Sequence, residues 1–249
     1  MSGLQRMRGQ CWSIAAAAAL SLLLSGCISV GIGSDAGVQP MYELHDSGAL
    51  PAAGAAPAPE GARPAPLVQT LQIQMLPGSA VAETTSIAYS RQPHEVAYYR
   101  LASWTERPVR SIPRLLQQRL EAGSVSAAVG LLGDPLNSDW LLTVTVEQLV
   151  HDVAATPGSA QVRLGVALYD RRSGLRIGSR SFDATAPVAR ADSATAVAAM
   201  SDAIGRSFDA LVPWVGSSLQ DGLARRARLS GSAERRLSAP IMPPIVTLK

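Results

Sequence analysis

From Leu67 to Leu76 (LVQTLQIQML) apolar and polar residues alternate, with Leu71, Ile73 and Met75 opposite Gln72 and Gln74. A period of two is that of a half-buried strand. Ile87–Ser90 and Tyr98–Trp104 read as a further strand pair around the turn-prone Arg91-Gln92-Pro93-His94. Pro108 and Pro113 then punctuate the start of a helix that carries Ile112, Leu115, Leu116 and Leu120 on one stripe, and Gly123 closes it. Trp140–Val150, Val162–Tyr169 and Leu175–Phe182 predict three antiparallel strands, the last two joined by a hairpin turn at Asp170-Arg171-Arg172-Ser173-Gly174. A final helix starts near the capping residues Asp192 or Ser193 and sets Val197, Ile204, Phe208, Leu211, Val215 and Leu219 on one apolar face, and Pro213 is expected to kink or divide it. Strands with one apolar face and two amphipathic helices imply an α+β two-layer sandwich, a mainly antiparallel sheet covered on one face by helices.

Ahead of this region the pattern is different in kind. Arg6 and Arg8 precede an Ala/Leu-rich run from Cys11 to Leu24 that is too short to span a bilayer, and Leu24-Ser25-Gly26-Cys27 follows. That is secretory-signal architecture, and its end resembles a lipobox. The reading is a lipoprotein signal peptide over 1–26 with Cys27 as the acylated first residue of the mature chain, the lipid being the one covalent group expected and no other cofactor. One acyl chain holds a protein only marginally, so durable attachment takes two or three. Ile28 stands where an Asp would favour retention in an inner membrane, which points to the outer membrane. Residues 27–66 form a tether: Gly-rich at first, then holding Pro51, Pro57, Pro59, Pro64 and Pro66 among alanines, with a coil reach of roughly 35 Å. Tyr42 and Leu44 interrupt it and are candidates for a short strand at the domain edge.

Removal of residues 1–26 takes away Arg6 and Arg8 and no acid, so the 22 basic and 19 acidic side chains of the whole chain become 20 and 19. The high pI therefore gives nucleic acid no footprint. Arg225, Arg226, Arg228, Arg235, Arg236 and Lys249 face only Glu234 in the last stretch, leaving 14 basic and 18 acidic groups between Cys27 and Ala224. The sequence thus divides into a folded, mildly acidic body over 67–224 and a basic, solvated, disordered tail over 225–249. With Cys11 lost alongside the signal and Cys27 acylated, the mature chain can form no internal disulfide, and a packed core must carry its stability.

Tyr99-x-x-x-x-Trp104-x-Glu106-x-Pro108, ahead of the stripe of Leu115, Leu116 and Leu120, resembles the motif of auxiliary lipoproteins of ABC-type transport systems, among them that of the paraquat-inducible MCE transport system. Tyr42-x-Leu44, Ile87-Ala88-Tyr89 and the Ala-rich final helix ending near Trp214 are similar to that family as well, so that the resemblance runs from 42 to 220. It implies a periplasm-facing role beside an MCE-domain protein, an inner-membrane permease and an ATPase that move phospholipids or other apolar molecules, with a homo-oligomer among the possible assemblies. The family brings no catalytic residues. Tyr99, Trp104 and Pro108 are then either a partner surface or a structural motif, with core packing the weightier reading for Trp104.

The residues themselves offer little to an enzyme. His45, His94 and His151 lie far apart with no metal-ligand spacing, no Gly-x-Ser-x-Gly elbow is present, and Gly31-Ile32-Gly33 lacks a strand and a helix around it. Arg171-Arg172 reads as a solvated hairpin tip. Two functions follow: a non-catalytic outer-membrane adaptor of an MCE-type system, or a periplasmic carrier that binds the apolar molecule in a cleft. A filled core favours the first and an open apolar cleft the second.

Overall fold

The computed structural model describes residues 39–48 and 64–237, with side chains in the last helix up to residue 232. Cys27, the signal peptide, most of the tether and the final twelve residues lie outside the described residues.

Alternation builds the centre of the sheet. Strands β6 (Trp140–Asp152), β7 (Ser159–Asp170) and β8 (Leu175–Pro187) form an antiparallel meander. Its register sets Leu142 against Leu168, Val144 against Val166 and Val146 against Leu164, all buried on one face. At the β7–β8 tip the Asp170 carboxylate accepts the backbone N–H groups of Arg172 and Ser173, and Gly174 supplies the positive φ of 70° that closes the turn.

The other edge of β6 is shared. β2 (Val68–Leu76) runs parallel to β6 along Leu141–Thr145, and β3 (Ser86–Ser90) runs parallel to it at His151–Asp152. Beyond β2 lies β5 (Ser126–Leu131), also parallel. Beyond β3 lies the antiparallel β4 (Ala97–Trp104), and then β1 (Met41–Tyr42), parallel to the end of β4. The eight-stranded sheet is therefore mixed: its long meander is antiparallel as expected, while the β1–β4, β2–β5, β2–β6 and β3–β6 pairings are parallel. The small-residue run SAAVGL of β5 carries too little alternation to be read as a strand, and pairing with β2 is what defines it.

Helix α1 (Pro108–Ala122) starts with Pro108 at its first position, where the missing N–H costs nothing, and buries Ile112, Leu116 and Leu120 toward β2 and β5. Helix α2 (Ser193–Leu237) is capped by Asp192, whose carboxylate accepts the Thr195 N–H at 2.8 Å, and that bond first, then Arg190, draws the Asp192 pKa down to about 2. All six residues of the expected apolar face of α2 are buried, and the helix packs on β7 and β8.

Three expectations need correction. Of the kink or division expected at Pro213, the division does not occur: the proline lies inside one continuous helix, with Leu211 and Val215 on either side both fully buried in the same core. The basic tail does not begin disordered at 225: α2 continues to Leu237, and Arg226 is bound to the body. Residues 41–48 fall in the stretch assigned to the tether but belong to the body: the short edge strand expected around Tyr42 forms at Met41–Tyr42, Leu44 is buried and the Asp46 side chain is 1% exposed in an ion pair with Arg119. Among the described residues no helix is long and apolar enough to cross a membrane.

Candidate functional site

Where β3, β4 and the end of β6 meet the start of α2, the fold gathers aromatic residues from three strands. Tyr89 stands in register with His151, and its ring centroid lies 5.2 Å from that of Tyr99. The Tyr99 phenol and His151 Nδ1 are 2.7 Å apart, while His151 Nε2 is 3.1 Å from the Pro157 carbonyl oxygen. A carbonyl only accepts, so Nε2 carries the imidazole proton and Nδ1 receives the bond from the phenol. Burial first, then the Asp192 carboxylate, raises the Tyr99 pKa. The pair locks a ring in place. His151 is fully buried, and its two ring nitrogens are taken up by the Tyr99 phenol and the Pro157 carbonyl.

Around this pair lies an open groove of about 450 Å³ walled by Tyr89, Arg91, Tyr98, Leu101, Val153 and Ala191. Arg91 sits over the Tyr89 face, 5.2 Å from its centroid. The adjoining surface is unusually apolar for a strand edge: Leu101 is 78% exposed, and Met41, Val96 and Tyr98 are exposed as well. β1 pairs with β4 only at Ser103 and Trp104, so among the described residues the outer edge of β4 from Ala97 to Leu101 has no neighbour. Unpaired backbone beside exposed apolar side chains is a template for a partner strand.

The structure separates the expected site residues. Tyr99 lines the groove, whereas Trp104 is 2% exposed in the core and Pro108 is buried at the start of α1, so these two hold the β4–α1 junction together. His45, His94 and His151 remain apart, and among the described residues no three His, Cys, Asp or Glu side chains cluster as metal ligands would. At the opposite hairpin tip Arg171 is not simply solvated: its Nη1 donates to Gln72 Oε1 at 2.8 Å. The sequence offered no sign of His151 as the partner of Tyr99, since the two lie 52 residues apart and meet only through strand pairing.

The space between helices and sheet is filled. Trp104, Ile112, Leu116, Leu120, Phe208, Leu211 and Val215 occupy it with 0–2% of their surface exposed.

The profile of the family described as ABC-type transport auxiliary lipoprotein component matches residues 49–212, more than half of the chain. Among solved structures, a Xanthomonas campestris protein of the DUF330 family is similar at 20% identity and a TM-score of 0.58, the match covering 74% of this chain and 97% of that one. An uncharacterised protein is similar at 14% identity and a TM-score of 0.50, over 61% of this chain and 94% of that one. At these identities the likeness is one of fold. No curated protein matches the chain closely enough to count as a relative.

Proposed function

This chain belongs to the family of ABC-type transport auxiliary lipoprotein components, and from that premise we propose that it is a non-catalytic adaptor. It is anchored through a lipid on Cys27 in the outer membrane, facing the periplasm. There it docks the MCE-domain protein of a transport system whose permease and ATPase are other polypeptides and whose cargo is a phospholipid or another apolar molecule.

One observation carries the reading over that of a carrier: the interior is packed with large side chains, Trp104 and Phe208 among them, where a carrier needs room for its cargo. Recognition is left to the surface, and the exposed β4 edge with the Tyr89–Tyr99 groove is the docking face we favour. The lipobox-like Leu24-Ser25-Gly26-Cys27 and the residue Ile28 support the anchor and its membrane.

A photo-crosslinking amino acid at position 101 in cells is the direct test. The adaptor reading expects a covalent adduct with the MCE-domain protein, lost on Leu101→Glu when the label is moved to position 98. Stoichiometric extraction of phospholipid from liposomes by residues 28–249, with no adduct to any MCE-domain protein, would replace the adaptor by the carrier.

A further inference from the structure

The end of α2 that leaves the body differs in chemistry from the rest of the molecule. Arg226 is committed to the body: it grips Asp170 with two guanidinium nitrogens, Nε at 2.8 Å, and reaches Asp139 Oδ2 at 3.1 Å. That clamp fixes the azimuth of the helix. Arg225, Arg228 and Leu229 fall at three- and four-residue spacing and so share one stripe. The stripe borders a groove of about 230 Å³ between α2 and the β7–β8 tip, walled by Arg172, Leu175, Ile177, Arg225, Arg226 and Leu229.

Charge and exposure at this end go together. Among the described residues Arg176, Arg225 and Arg228 have no carboxylate within ion-pair distance, and Arg172 stands 3.7 Å from an Asp139 that Arg226 already engages. Among the described side chains the acids nearby are Asp139 and Asp170 beneath the clamp and Asp221 one turn earlier on the helix. Leu175 is 50% exposed and Leu229 58%, and Leu223 on the same helix is exposed as well. The rest of the chain after Cys27 has an excess of acid, so this is a local concentration of positive charge around uncovered leucines.

We propose that this end of the molecule, the α2 stripe and the Arg172–Leu175 tip, seats on an anionic phospholipid surface. Guanidinium groups fork onto phosphate oxygens, and leucines spaced between cations enter the boundary of headgroups and acyl chains, the arrangement of an interfacial helix. The groove has room for a phosphate-bearing headgroup. This surface is separate from the β4 edge, so its failure would leave the adaptor reading intact.

The test uses residues 28–249, which keep every described residue and the whole core, sedimented with vesicles of phosphatidylcholine alone or mixed with phosphatidylglycerol. The wild type should bind the mixed vesicles selectively and release them as salt rises. Arg225→Glu with Arg228→Glu should weaken that binding at least about tenfold, while Arg225→Lys with Arg228→Lys should retain most of it, since charge near the surface supplies the bulk of such attraction. Unfolding midpoints of both variants should stay close to the wild type, because among the described residues neither arginine makes an ion pair, and Arg228 donates only to the Ala224 carbonyl of its own helix. Equal binding to the two vesicles, or a charge-reversed variant that binds like the wild type, overturns the proposal. A wild type that ignores both vesicles does so too, and leaves an acidic protein surface as the occupant of these charges.

Discussion

Arg226→Ala removes the contact that turns an expected disordered tail into an ordered helix. In the folded protein the Asp170 side chain is 3% exposed and relies on Arg226 for its main charge partner, with backbone N–H bonds from Arg172 and Ser173 as the remainder. Arg226 also stacks over Trp140, 4.2 Å from the ring centroid. Breaking a fully buried pair costs about 3–5 kcal/mol. Here the arginine is 22% exposed and the backbone donors stay, which reduces the electrostatic loss to about 2 kcal/mol, with roughly 0.5 kcal/mol more for the lost stacking. The sum of about 2–3 kcal/mol corresponds to a melting-temperature drop of roughly 5–10 °C for a domain of this size. Arg226, first among causes, holds the Asp170 carboxyl well below the usual carboxylate range. A carboxylate with a depressed folded pKa stabilises fully above its unfolded value, near 4, and loses that contribution as the pH falls below it. Urea titrations at pH 7 should therefore give the full gap between wild type and Arg226→Ala, and titrations at lower pH below about 4 a narrowing one. Arg226→Lys should recover only part of the gap, because an ammonium cannot fork onto Asp170. Equal midpoints at pH 7, or a gap that does not change with pH, would refute the account.

The same reasoning yields three shorter predictions. A Cβ on Gly222 would lie 2.6 Å from the rigid Trp140 ring, so Gly222→Ala should destabilise by about 1–2 kcal/mol in urea unfolding despite alanine's better helix propensity; a stabilised variant would show that the ring yields freely. Tyr99→Phe leaves the buried His151 Nδ1 without its donor and should cost about 1–2 kcal/mol at neutral pH. Because burial raises the Tyr99 pKa, the folded state resists its ionisation, and wild-type stability should fall above about pH 10 more steeply than that of Tyr99→Phe, as followed by circular dichroism. Cys27→Ser should block cleavage before position 27 and abolish labelling with radioactive palmitate, and unchanged labelling would remove the lipid anchor from the proposal.

The sequence determined the elements whose signal is local. A period of two over Leu67–Leu76 and along β6, β7 and β8, and a helical stripe from Val197 to Leu219, each report which face meets the core, and they do so without knowledge of any neighbour. The Tyr99-to-Pro108 motif was legible for the same reason, as were the sites of the turns. Tertiary structure decided what depends on residues far apart in the chain. β5 is a strand because β2 offers it an edge, and the parallel pairings follow from β6 dividing one edge between β2 and β3. Asp46 meets Arg119 across 73 positions and Asp170 meets Arg226 across 56, so neither the anchoring of residues 43–48 through Asp46 nor the order of the helix past Ala224 could be read from composition. A run of arginines is a solvated tail until a buried carboxylate lies within reach, and only the folded meander brings Asp170 to that place.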